Sequence, residues 1–408
     1  MGFTRIRSWW EARTYWERMA LVLWSAVLLF VSVRALNRPT ERTVYPIFSG
    51  SAKLWWSGAD LYEPDRPANF QSGYRYSPTF AILLTPFAWL PDAIGGVLWR
   101  LVSTATLIAS LAWLASCVLP WPLSRDQFAW LTLLCLPLTV QSLSNGQANV
   151  IVIASMVAAV AAVKQQRWNL ACALMTLAFV CKVYPMALGM LLVVLYPRQL
   201  IWRMPLAVAV SLLAPFLLQE TPYVLDQYAK WITVLLTDDK TTVEPRSRHR
   251  DLWLLIDLYG LPITRQFYLY LQLLGGIGIA ALVWLRQRND WPEQKLLTST
   301  LALAVTWMLL LGPVVESSTF VLLAPAFACS MLAALQDRTW SWRMLLLVGS
   351  VILMLLAVLL GGIGNTATLN VSGLHPWASL SYFAFLLTEP RLGRQQAQLQ
   401  TMNHRAAA

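Results

Sequence analysis

The feature that most constrains this chain is a series of long apolar stretches that contain almost no charged residues. There are about 12–13 of them, mostly about 15–22 residues long, close to the helix length that crosses the hydrocarbon core of a bilayer. In lipid, each backbone N–H and C=O must be bonded within its own segment, so a continuous apolar run favours a helix. The strict alternation of a membrane β-strand is absent. The sequence therefore predicts an all-α, polytopic integral membrane helix bundle.

Composition agrees with this fold class. Hydrophobic residues are 57% of the chain and charged residues only 12%, against about 25% in soluble domains. The predicted segments are 19–36, 78–91, 97–118, 128–143, 148–163, 168–181, 183–197, 201–218, 267–285, 297–312, 319–335, 343–361 and 377–388.

The net charge of +11 comes from Lys and Arg residues at the ends of these segments. Basic residues in short connections mark the cytoplasmic side, so the charge indicates orientation rather than nucleic-acid binding. We predict a multi-pass protein of the inner (cytoplasmic) membrane with both termini cytoplasmic. Termini on one side require an even number of crossings, and segment 78–91 is the weakest because Pro78, Pro86 and Pro91 interrupt it. It is predicted not to cross fully; the alternative is that the incomplete crossing lies in the stretch 128–163.

The chain is predicted to form one transmembrane domain, 1–390, followed by a cytoplasmic tail, 391–408. Two long outer loops, 37–77 and 219–266, interrupt the domain. From Tyr45 to Trp56 the first loop has an amphipathic pattern, which predicts a helix lying at the membrane interface.

Cysteine and metal-ligand patterns give no support to two kinds of site. The five cysteines lie inside apolar segments without a CxxC pair, and no HExxH or DxD motif occurs. Neither a disulfide framework nor a metal site is predicted.

The first loop carries acidic and aromatic residues after a Gly turn, among them Asp60, Tyr62 and Tyr76. Aromatic rings stack on sugars, and carboxylates accept protons from hydroxyl groups, so these residues are candidates for sugar or acceptor binding. The alternative for Asp60 is a plain turn.

Four stretches together resemble glycosyltransferase family 87: VYPIFSGSAKLWWSGADLYEP (44–64), YRYSPTFAILLTPFAWLP (74–91), SLSNGQANVIVIASMVAA (142–159) and LAFVCKVYPMALGMLLVVLYPRQL (177–200). The resemblance covers about residues 40 to 340 in motif order, and GPVVESSTFVLLAP (312–325) resembles an uncharacterised bacterial branch.

That family has the GT-C architecture and includes polyprenol-phosphate-mannose-dependent mannosyltransferases. The resemblance implies transfer of a hexose, possibly mannose, from a polyprenyl-phosphate carrier to a lipid or glycan acceptor on the outer face. It also implies inversion, a carboxylate general base, and a reaction without a metal or other cofactor. The family's usual first-loop Asp falls near Val44 here, and the nearest acid is Glu41.

Two carboxylates are candidates for the general base. Glu41 follows the first span, where the alternative is an ion pair with Arg38 or Arg42. Glu316 follows Gly312-Pro313 at an outer span end, where the alternative is a carboxylate favoured by a helix N-terminus.

Three cations are candidates for binding the donor phosphate: Lys182, Arg248 and Arg250. The alternatives are a Lys182 that reaches to the interface and arginines in a solvated loop. Gln147, Asn149 and His375 lie at outer span ends and are candidates for sugar or acceptor contacts. Helix capping and an interfacial histidine are the alternatives.

Two other functions remain open from the sequence. One is a lipid-linked-sugar flippase or transporter, and the other is a catalytically inactive relative that only binds the lipid carrier. The missing first-loop Asp favours the second, while the scarcity of acids within the spans disfavours the first. Membrane lipids and the lipid-linked sugar are the predicted partners.

Overall fold

The computed structural model describes residues 8–63, 73–119, 121–237, 249–312, 315–337 and 341–391. The described residues are 80% helical and contain no strand. The α-helices, in chain order, are α1 (Tyr15–Asn37), α2 (Tyr45–Ser57), α3 (Pro78–Leu83), α4 (Thr85–Ala88), α5 (Asp92–Cys117), α6 (Arg125–Ser144), α7 (Asn149–Lys164), α8 (Trp168–Cys181), α9 (Met186–Leu195), α10 (Pro197–Leu200), α11 (Arg203–Leu213), α12 (Thr221–Thr237), α13 (Leu252–Leu258), α14 (Arg265–Arg288), α15 (Glu293–Leu311), α16 (Ala324–Asp337), α17 (Trp342–Gly362), α18 (Thr366–Ser372) and α19 (Leu374–Leu387). Two 3₁₀ segments, Ala214–Leu217 and Ser317–Leu323, extend α11 and precede α16.

The predicted membrane bundle is confirmed. Within the described ranges, eight helical segments are long and apolar enough to span a membrane, and α7, α8 and α9 are shorter apolar helices. Local sequence sets several helix starts: Thr14 with Glu17, and Ser124 with Gln127, form capping boxes that satisfy the first N–H groups of α1 and α6.

The bundle is centred on α7, which is buried on all sides from Asn149 to Val163. Its Ala- and Val-rich surface lets the neighbouring helices approach closely, and α5 and α8 pack against it. By contrast, α1 and α17 present most of their apolar residues outward, as expected for lipid-facing helices.

Segment 78–91 forms α3 and α4, which have 6 and 4 residues and are too short to cross a bilayer at about 1.5 Å per residue. This agrees with the prediction that it does not cross fully. Ion pairs and hydrogen bonds join the start of α1 to the start of α6, and the end of α7 to the start of α15. These contacts and the Arg286–Glu389 pair lie at one end of the bundle, here called the basic end.

The opposite end, here called the loop end, carries the long connections 38–77 and 218–264. The helix predicted in the first connection is present as α2, but its environment differs from the prediction. Trp55 and Ser51, expected on opposite faces, are both buried, because α2 is enclosed by α3, α4 and α5. Only Trp56 of the tryptophan pair is exposed, at 43%.

The second connection also contains structure that its sequence pattern did not predict. Helix α12 spans 17 residues and buries Val224, Gln227 and Trp231. The Gln227 side chain accepts a hydrogen bond from the backbone N–H of Leu61 at 2.9 Å, so the two long connections pack on each other.

Candidate functional site

Polar residues from four distant parts of the chain meet at the loop end. We call them the polar cluster: Tyr76 before α3, Lys182 and Tyr184 between α8 and α9, Arg250 before α13, and Glu316 before the second 3₁₀ segment. The charge of Glu316 acts on Tyr76, Tyr184 and Arg250, which places its carboxylate among them. The cluster therefore combines an acid, cations and phenol groups on one end of the bundle.

Tyr76 is held by its neighbours in the first long connection. The Ser77 hydroxyl donates to the Val180 carbonyl at 2.9 Å, which attaches the start of α3 to the end of α8. The Tyr62 hydroxyl donates to the Tyr76 carbonyl at 2.7 Å, and the Tyr76 ring stacks on Phe80 at 4.8 Å. Burial raises the pKa of the Tyr76 phenol, and the Glu316 charge adds to that shift. Tyr76 is thus a neutral hydroxyl beside an acid.

Lys182 and Tyr184 occupy the turn that follows α8. The Lys182 ammonium lies 5.6 Å from the centre of the Tyr184 ring. The Tyr184 hydroxyl is buried without a hydrogen-bond partner in the described part of the chain, and burial raises its pKa. The predicted cation Lys182 therefore lies beside a tyrosine on which the charge of Glu316 acts.

Arg250 is buried at 6% exposure and is fixed by its backbone and its side chain. Its N–H donates to the Val315 carbonyl at 2.9 Å, and its guanidinium donates to the His249 carbonyl and to Asn370. Burial lowers the pKa of the Arg250 guanidinium, while the carboxylates of Asp251 and Glu316 oppose that shift. The backbone bond to Val315 explains how Arg250 and Glu316 come together across 66 residues of sequence.

A second polar patch adjoins the cluster at the turn between α6 and α7. The Asn149 amide donates to the Ser318 carbonyl at 3.2 Å, which connects this turn to the segment that begins at Glu316. Gln147, Asn149 and Ser318 are buried, and each has a side-chain oxygen without a hydrogen-bond partner among the described residues. Such oxygens are uncommon in folded proteins, since each costs about 1–3 kcal/mol, and they indicate a place where a ligand would complete the bonding.

His375 closes the patch from the side of α19. Its ring lies 4.5 Å from that of Phe320, it is 2% exposed, and its Nδ1 has no partner within the described ranges. His375 is enclosed by protein, and its role in sugar or acceptor contacts stays a prediction.

Other predicted site residues have contacts that hold the loops together. Glu41 forms an ion pair with Arg38 at 3.2 Å with its side chain 62% exposed, as in the alternative interpretation. Asp60 pairs with Lys230 at 2.9 Å and accepts the Tyr62 N–H at 2.9 Å, which makes it a turn residue. Arg248 lies outside the described residues. Of the two predicted bases, Glu316 therefore belongs to the polar cluster, whereas the described contact of Glu41 lies outside it.

The structure also brings in residues that sequence reasoning did not select. Tyr184 belongs to the polar cluster, and Ser318 and the pair His249–Asp251 adjoin it. The sequence does contain a signal for the pair, because His249 and Asp251 flank Arg250. The sequence analysis selected only the arginines of that stretch as candidates. No group of three or more His, Cys, Asp or Glu residues in the described ranges is arranged to hold a metal ion.

Comparison with known proteins identifies the family to which the chain belongs. The model of glycosyltransferase family 87 matches residues 74–313, which include Tyr76, Asn149, Lys182 and Arg250 but neither Glu41 nor Glu316. A polyprenol-phosphate-mannose-dependent alpha-(1-2)-phosphatidylinositol mannoside mannosyltransferase of Mycobacterium tuberculosis (strain ATCC 25618 / H37Rv) is 28% identical over 128 residues.

That match covers 28% of this chain and 30% of the relative, so less than a third of the relative's length is matched. The family match, in contrast, extends over more than half of the chain. The chain belongs to glycosyltransferase family 87.

Proposed function

We propose that this protein transfers a hexose from a polyprenyl-phosphate carrier to a hydroxyl of a lipid or glycan acceptor on the outer face of the cytoplasmic membrane. The observation that supports this most directly is the polar cluster: an exposed carboxylate, Glu316, beside buried Arg250 and half-buried Lys182, at the end of a membrane bundle. A carrier anchored in the bilayer presents its phosphate and sugar at the membrane surface, where the end of such a bundle lies. The relative's dependence on polyprenol-phosphate mannose makes mannose the first sugar to test.

In the proposed reaction Glu316 is the general base. The acceptor hydroxyl attacks the anomeric carbon, its proton passes to the Glu316 carboxylate, and the bond between the anomeric carbon and the phosphate oxygen breaks. The electron pair of that bond stays on the phosphate oxygen, where Arg250 and Lys182 balance the added charge. A single displacement of this kind inverts the anomeric configuration.

Sugar recognition is assigned to the patch beside the cluster. The amides of Gln147 and Asn149, with His375, offer hydrogen bonds to sugar or acceptor hydroxyls, and Tyr76 and Tyr62 border the same region. Asp60 supports this border through its turn. The reaction as written uses no metal or organic cofactor.

Glu316 is preferred to Glu41 because its charge acts on Arg250, one of the cations proposed to bind the phosphate, whereas Glu41 is exposed and paired with Arg38. The test is sugar transfer from polyprenyl-phosphate mannose in proteoliposomes, using E316Q, E41Q and a control, E220Q. Glu220 is an exposed carboxylate at the loop end and has no proposed role. We expect E316Q to lower transfer by about 10²–10⁴-fold, the contribution of a positioned base, while E220Q transfers like the wild type.

Wild-type transfer by E316Q would refute the assignment, and loss in E41Q alone would assign the base to Glu41. A wild-type protein that moves lipid-linked sugar across the bilayer without transferring it would establish the flippase alternative. A wild-type protein that binds the carrier but does neither would be the inactive relative.

A further inference from the structure

One buried pair at the loop end has no part in the reaction written above. His249 and Asp251 each have side chains only 2% exposed, and the His249 Nδ1 lies 3.2 and 3.3 Å from the two carboxylate oxygens. Asp251 also accepts the N–H of Trp253 at 3.0 Å and that of Val315 at 3.2 Å. An ionised carboxylate only accepts hydrogen bonds, so the tautomer of His249 that bonds to it is the one with a proton on Nδ1.

The other ring nitrogen of His249 is buried and has no hydrogen-bond partner in the part of the chain that the structure describes. Buried polar atoms are nearly always bonded in folded proteins, because desolvation is otherwise uncompensated. Asp251 fixes the orientation of the ring, so the Nε2 is held in place rather than free to turn toward water. The Nε2 of His249 is therefore held in a fixed position in which it can form a hydrogen bond with a ligand atom.

The position of the pair indicates which ligand atom that is. Residues 249–251 are bonded to Val315 through both the Arg250 N–H and the Asp251 carboxylate, so His249 lies beside Arg250 and close to Glu316. The Arg250 guanidinium donates to the His249 carbonyl at 2.7 Å. An anion bound by Arg250 is therefore adjacent to the His249 ring, which Asp251 orients.

We propose that His249, oriented by the positioning residue Asp251, donates a hydrogen bond from Nε2 to the phosphate of the lipid carrier. The inference rests on the proposed function, whose phosphate site it extends. When bound, the imidazole carries both protons, and Asp251 balances its charge. As the bond to the anomeric carbon breaks, the phosphate gains charge and this hydrogen bond strengthens. His249 keeps its proton throughout, because the acceptor proton passes to Glu316.

Three variants test the assignment by binding rather than by transfer. H249N places an amide nitrogen near the position of Nδ1, so it keeps the bond to Asp251 and removes only Nε2. D251N removes the charge that stabilises the imidazolium. T264V is the matched control: it removes a helix cap, the Thr264 hydroxyl that accepts from Phe267, at the start of α14. The ligands are a polyprenyl monophosphate and the uncharged polyprenol of equal length, with purified full-length protein in detergent.

We expect H249N to bind the monophosphate about tenfold more weakly than the wild type, the effect of losing one charge-assisted hydrogen bond. Its affinity for polyprenol should be unchanged, since no phosphate contact is involved. D251N should show the same selective loss, whereas T264V should bind both ligands like the wild type. Inorganic phosphate should displace the lipid phosphate from the wild type at lower concentrations than from H249N.

Unchanged monophosphate binding by H249N overturns the proposal, and so does an equal loss for monophosphate and polyprenol, which would indicate a structural role. If H249N does not fold, the comparison of monophosphate with polyprenol in D251N decides in the same way. Failure of the proposed function looks different: the wild type then binds the monophosphate with the His249 dependence but transfers no sugar.

Discussion

Each end of the bundle contains a buried arginine, and the hydrogen bonding around the two arginines differs. At the basic end, Arg286 is 4% exposed, yet it donates to Ser299 and to the Leu386 carbonyl and lies 3.5 Å from Glu389. At the loop end, Arg250 is 6% exposed, but the buried oxygens and ring nitrogens near it have no partners among the described residues. Arg286 is thus surrounded by completed hydrogen bonds, whereas Arg250 lies near buried donors and acceptors that a ligand can bond.

The difference also explains why charge alone did not separate structural from functional residues in the sequence. Both arginines are basic residues outside the predicted apolar segments, and both are buried. What distinguishes them is the completeness of the hydrogen bonding around them, which depends on contacts between distant residues. Paired substitutions at the two ends test this distinction.

The largest effect should come from the two buried arginines. R250Q should lower transfer per folded molecule by about 10²–10³-fold, because a cation facing the leaving phosphate is lost. R286Q should instead destabilise the fold by about 1–3 kcal/mol, because the Ser299 hydroxyl and the Leu386 carbonyl lose their buried donor, while the remaining folded protein keeps its transfer rate. Thermal unfolding in detergent and transfer normalised to folded protein measure the two quantities. Equal losses of transfer per folded molecule would remove the distinction between the ends.

A smaller effect should separate two buried serines. The Ser299 hydroxyl is bonded to Arg286, whereas the Ser318 hydroxyl has no partner in the described residues. S299A should destabilise the protein by about 1 kcal/mol, since a buried bond is lost. S318A should leave stability equal or higher but reduce transfer severalfold if the hydroxyl binds substrate. The melting temperatures of the two variants should therefore move in different directions, and a matching decrease in both would contradict the interpretation.

The smallest effect is expected at the exposed ion pair of the basic end. Lys164 and Glu293 pair with side chains 25% and 45% exposed, so solvent screens their attraction. E293Q should change stability by at most about 1 kcal/mol and transfer not at all. A change in transfer comparable to that of S318A would mean that the basic end also takes part in function.

Much of the fold followed from the sequence because it is encoded locally. Apolar length located the spans, Pro78, Pro86 and Pro91 marked the interrupted segment, and cap residues set helix starts. The burial of Trp55 and the helix α12 were missed, because both depend on packing between the two long connections, which no local pattern records.

The candidate site was predictable in part. Gly312-Pro313 at a span end drew attention to Glu316, and the turn before Pro185 to Lys182. Their grouping with Arg250 depends on one backbone bond to Val315, a contact between residues far apart in sequence. The unpartnered Nε2 of His249 is likewise a property of the folded chain, since it exists only once Asp251 has fixed the ring.

The complete enclosure of α7 has a consequence for how the protein is assembled. A helix with no face left for lipid enters the membrane surrounded by lipid and must later exchange every acyl-chain contact for protein. Its flanking helices α5, α6 and α8 therefore have to close around it after insertion, and the polar turn that carries Asn149 is placed only at that stage. The loop end is therefore completed late in biogenesis. Its timing depends on the packing of α5, α6 and α8 around α7 rather than on the insertion of any one segment.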